Sequence, residues 1–232
     1  MSLITYISNF SDLLPLAFFL LFKKNNKEKS LRVIFYYVLY CIINEAIGYY
    51  FYEIRFKNIF IVFAVYTVVE FSFFCLFYYY AMPSGAIKKA VLPIWSLFFT
   101  FSCIDFFLIN QMNAFDSITS GVESIFIILL CIYYLAVQLK GSNNLFVYST
   151  SNFWIVITFL IYLSGTFFLY IMTENMIKDR AFRIQYLIIN SSFNILKNVL
   201  LSIAMLMKEA PPNEQAKRIK NWDDKFSYNL KN

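Results

Sequence analysis

The chain has 232 residues, of which 60% are hydrophobic, 21% aromatic and only 15% charged, with a net charge of +6 and no histidine; its mean hydropathy is +0.60. A soluble domain holds about 45–50% apolar and about 25% charged residues, so the composition argues against a water-soluble fold and for an all-α, polytopic membrane protein. Without histidine, zinc sites of the HExxH type, serine–histidine dyads and histidine-dependent acyl or phosphoryl transfer are removed.

A spanning helix needs about 20 mostly apolar residues. Seven runs qualify: 3–22, 31–52, 59–81, 90–110, 117–139, 152–173 and 185–207. The opening stretch, "MSLITYISNFSDLLPLAFFLLFKKNNKEK", carries its lysines after the apolar run and lacks a small-residue cleavage site. This predicts a retained first helix with the N-terminus outside. Tyrosine clusters follow at the ends of the second and third runs, "EAIGYYFYE" and "FYYYAMP", as expected of residues at headgroup level. Cys41, Cys75, Cys103 and Cys131 fall one to a run with no close pair, so they read as buried thiols, not as a metal or redox site.

From Pro211 the composition turns polar ("PPNEQAKRIKNWDDKFSYNLKN"). The expected organisation is a seven-helix transmembrane domain over 1–210 and a cytoplasmic tail over 211–232, either disordered or docked on a surface. With the N-terminus outside, 14 Lys and Arg residues fall on the cytoplasmic side and 5 on the other, which supports a cytoplasmic C-terminus. The multi-pass chain is accordingly expected in the cytoplasmic (inner) membrane. Its basic surplus fits lipid headgroups and not nucleic acid.

Six ionisable residues lie inside the runs: Asp12, Glu45, Glu70, Asp105, Glu123 and Lys197. Each costs roughly 2.5–3.5 kcal/mol or more at mid-helix, so such residues face protein or water and mark functional sites. Asp12 and Glu123 read as near helix ends, where a carboxylate reaches headgroup water. Glu70 and Lys197 read as central. Asn190, Asn194 and Lys197 recur at i, i+4 and i+7, a single stripe that Ser191 and Asn198 broaden. Glu45 with Asn44, Glu70 with Tyr66, and the Ser164–Gly165–Thr166 step add polar patches. The expected result is a polar pocket toward the outside, with Glu45, Glu70, Asp105, Asn190, Asn194 and Lys197 as ligand-binding candidates. Lys197 would pair with Glu70 or hold an anionic group of a ligand. No catalytic, metal or cofactor signature is present.

A mid-membrane lysine in the seventh helix and a carboxylate in the third resemble the layout of the retinal-binding rhodopsins. That resemblance would make Lys197 a Schiff-base lysine and Glu70 its counter-ion. The chain departs from the pattern with Phe193 four residues before the lysine, and "VYTVVEFSFF" lacks the helix-three arginine. Four classes of function follow from the residues themselves. The first is a receptor, sensor or membrane-partner protein that binds a small or lipidic ligand and acts through a separate protein or a second copy of itself. The others are a carrier or channel coupled to carboxylate protonation, a carboxylate-dependent lipid enzyme using Glu45 and Asp105, and the retinal protein.

Overall fold

The computed structural model describes residues 3–22, 28–54, 60–82, 86–109, 117–140, 150–176 and 179–207. The tail from 211 onward and the basic residues Lys23, Lys24, Lys27, Arg55, Lys57 and Lys178 lie outside the described residues. Within them the protein is all-helical, with no strand. The helices are α1 (Leu3–Ser11), α2 (Leu13–Leu21), α3 (Lys29–Glu53), α4 (Phe60–Ala81), α5 (Ala86–Ile104), α6 (Ser117–Lys140), α7 (Ser151–Met176) and α8 (Arg180–Leu206). Taken together, α1 and α2 form the first of seven segments long and apolar enough to cross a membrane.

The first segment is interrupted at Asp12 by its own sequence. Pro15 has no N–H to offer the Ser11 carbonyl four residues back, and its ring crowds that oxygen. α5 also carries an internal proline, Pro93, and ends in a π-helical turn over Asp105–Ile109. Prolines therefore fall within both segments, and the first is divided into two helices. At the other end of the chain, Asp179 caps α8 by accepting the Ala181 N–H at 3.0 Å, which satisfies one of the orphan donors of a helix start.

Side-chain hydrogen bonds fix the directions of the helices. Cys41 meets Tyr66 and Tyr37 meets Glu70, so α3 and α4 are antiparallel. Thr67 meets Ser120 and Tyr78 meets Cys131, so α4 and α6 are parallel. Ser8 meets Asn194 and Ser11 meets Asn198, so α1 runs parallel to α8. α7 opposes both its neighbours, with Ser117 bonded to the Tyr170 carbonyl and Ser151 to that of Met207. The most extensive packing is of α7 against α6 and α8. There Gly165 leaves room for the Phe193 ring: a Cβ at Gly165 would stand 2.2 Å from its Cε1 and Cζ atoms.

The bundle divides across its length. The half away from the N-terminus is a mainly aromatic and aliphatic core. Phe74 and Phe159 pack with ring centroids 4.5 Å apart, and Tyr37 lies 5.4 Å from the first and 5.8 Å from the second. Leu201, Ala204 and Met205 close it from α8, all fully buried. The polar residues concentrate in the half that carries the N-terminus.

Candidate functional site

A cavity of about 260 Å³ occupies the N-terminal half of the bundle. Its wall is drawn from α1, α3, α4, α6, α7 and α8, together with Asp12 at the break. Of the ligand-binding candidates, Glu45, Glu70, Asn190, Asn194 and Lys197 all line it. Asp105 does not. It lies fully buried where the π turn begins, accepting the Thr119 hydroxyl at 2.8 Å on α6. Glu45 and Asp105 thus do not share a site, and paired acid–base work by these two has no geometric basis.

Asp12 is the main residue that sequence reasoning misplaced. Expected at headgroup level, it is only 2% exposed and sits midway along the first segment. The amides of Asn194 and Asn198 both donate to its Oδ1, the first at 3.4 Å. They also reach Ser8 Oγ at 3.0 Å and Ser11 Oγ at 2.7 Å. An aspartate at a helix start usually accepts from its own backbone; here the side chain makes no cap bond and is turned to α8 instead. The signal was in the sequence, because Pro15 fixes the break at the residue that carries the charge.

Lys197 is 4% exposed. Its Nζ lies 4.8 Å from the ring centre of Tyr162 and 5.6 Å from that of Tyr37, a cation–π arrangement worth about 2 kcal/mol or more when desolvated. The Tyr37 hydroxyl donates to Glu70 Oε1 at 2.7 Å. Glu70 and Lys197 are therefore joined through one tyrosine, its face to the ammonium and its hydroxyl to the carboxylate. The expected direct ion pair within 4.0 Å is absent among the described residues. Cys41, Asp12, Glu70 and Tyr170 are ionisable groups that act on Lys197, and Asp12 and Lys197 both act on Glu45.

A tyrosine relay continues the polar wall. Tyr162 and Tyr170 meet hydroxyl to hydroxyl at 3.1 Å, and Tyr170 reaches Asn190 Oδ1 at 3.5 Å. On the α4–α6 side stand Thr67, Ser120 and Glu123, the last in the second turn of α6 and only 4% exposed. Phe74, Phe159 and Leu201 are fully buried and do not line the cavity.

These features define a class: among the described residues, an all-helical protein with seven candidate membrane-spanning helices and a cavity lined by charged residues. Comparison with known protein families, curated proteins and solved structures finds no match for the chain.

Proposed function

We propose that this protein binds a small polar ligand in the N-terminal half of its bundle and acts as a membrane receptor or sensor, passing a helix movement to a separate protein partner. The observation that supports this reading best is the cavity itself. It gathers Lys197 with Asp12, Glu45, Glu70 and Glu123, and intramembrane charge is too costly to collect without use. The lining of asparagine, serine, threonine and carboxylate does not suit a polyene, which weighs against retinal on Lys197.

A carrier is the second reading. The break at Asp12 supports it, because interrupted helices at mid-depth are a recurrent feature of carrier binding sites. Cysteine accessibility tests both readings. With Cys41, Cys75, Cys103 and Cys131 replaced, cysteine at Asn190 should react with an impermeant thiol reagent from the N-terminal side, and cysteine at Ile203 should not. Protection at both positions would refute a ligand cavity. Labelling of Ile203 from the opposite face would favour the carrier.

A further inference from the structure

Two opposite demands meet in this one cavity. Lys197 is 4% exposed, and an ammonium has three N–H donors and no acceptor. Among the described residues it donates no hydrogen bond and forms no ion pair; its close contacts are the faces of Tyr162 and Tyr37. Ring faces steady the charge but accept poorly from three N–H groups. Glu70, at the same depth, is already engaged by the Tyr37 hydroxyl. An acceptor for Lys197 must come from within the cavity.

Asp12 and Glu45 pose the inverse problem. Both line the cavity and act on one another. The two asparagine amides approach Asp12 through Oδ1, and its carboxyl stands within hydrogen-bonding reach of that of Glu45. Two carboxyls facing one another in a confined space repel when ionised, and a cation between them relieves that repulsion. A simple cation would leave Lys197 unmet, and a simple anion would add to the carboxylate charge.

The geometry points to a ligand that carries both an ammonium and an acid group, the acid held by Lys197 and the ammonium by Asp12 and Glu45. This rests on the reading of the cavity as a ligand site. A free amino acid and the headgroup of an aminophospholipid both supply this chemistry.

The test uses the full chain in phosphatidylcholine nanodiscs and follows its thermal unfolding midpoint. The probes are glycine, γ-aminobutyrate and phenylalanine, each beside its amine-only and acid-only analogue: methylamine and acetate, butylamine and butyrate, phenethylamine and 3-phenylpropionate. At least one zwitterion should raise the midpoint by about 5 °C or more at about a hundredfold excess over its Kd, with its single-charge analogues well below it. Glu45→Gln, on a half-buried residue at the cavity wall, should weaken that zwitterion about tenfold or more, and Lys197→Met should abolish its effect. Phosphatidylethanolamine in the disc that competes with the zwitterion, or raises the midpoint by itself, assigns the chemistry to a lipid headgroup. A shift without such competition assigns it to a free solute.

An amine that matches its zwitterion would overturn the inference while leaving a binding cavity. No response to any zwitterion or to phosphatidylethanolamine would also overturn it. If no probe of any charge binds and cysteine at Asn190 is unreactive, the binding reading fails as well.

Discussion

Tyr37→Phe removes one oxygen from the centre of the bundle and leaves the ring under Lys197 in place. The hydroxyl donates at 2.7 Å to Glu70, which is 6% exposed. A hydrogen bond to a charged group contributes about 1.5–3 kcal/mol in soluble proteins. Interhelical hydrogen bonds in membranes average about 0.6 kcal/mol and reach about 1.7. A buried carboxylate acceptor belongs at the upper end of the second range, so the expected loss is about 1.5–2 kcal/mol. For a chain of this size each kcal/mol moves the midpoint by about 2–4 °C, giving a fall of about 3–8 °C. With Glu70→Gln the acceptor is neutral, and the same substitution should cost only about 0.5–1 kcal/mol. The assay is a double-mutant cycle by thermal and denaturant unfolding of the detergent-purified protein. Equal costs in the two backgrounds would refute the Tyr37–Glu70 contact. Tyr37→Leu should cost more than Tyr37→Phe, because it also removes the ring face from Lys197 and the contacts with Phe74 and Phe159; an equal cost would remove the cation–π contribution.

Asn198→Ala takes one of the amide donors from Asp12 and should destabilise by about 1–2 kcal/mol, with Asp12→Asn recovering part of that loss in the double mutant; additive losses in denaturant unfolding would break the pairing. Gly165→Ala forces a Cβ to 2.2 Å from the Phe193 ring and should cost about 1–3 kcal/mol by overpacking. Phe193→Ala in the same chain should make the Gly165→Ala change nearly neutral, as read by the unfolding midpoint. Asp179→Ala removes the cap of α8 and should cost about 1 kcal/mol, seen as faster hydrogen exchange confined to the first turn of that helix.

The seven segments were legible because a long apolar run has few alternatives, and six of the seven starts fall within two residues of those expected. The seventh begins at Arg180 and not near 185, because Arg180, Arg183 and Gln185 interrupt the apolar run while the Asp179 cap sets the true helix start. The stripe of Asn190, Asn194 and Lys197 was legible from helical periodicity alone, and all three line one cavity. Asp105 shows the limit of that reasoning. Depth can be counted along one helix, but which neighbour a side chain faces depends on the rotation and register of the others. The same limit hid Tyr37, whose hydroxyl finds Glu70 only once α3 packs on α4, and Tyr170, which reaches Asn190 only once α7 packs on α8.

The break at Asp12 has a mechanical meaning. The Ser11 carbonyl has no N–H to accept from Pro15, so the nine-residue α1 is joined to α2 by a weakened turn about which it can tilt. It supplies Thr5, Ser8 and Asn9 to one wall of the cavity, and its polar hold on the bundle runs through Asn194 and Asn198. At about 0.6–1.7 kcal/mol for each interhelical bond, these tethers together resist opening by only a few kcal/mol, the range in which a second conformation is populated at about 0.1–10%. With α7 wedged between α6 and α8 by the Phe193 ring on Gly165, the yielding wall is on the α1 side. A solute, or a lipid arriving within the membrane plane, would then enter sideways past α1.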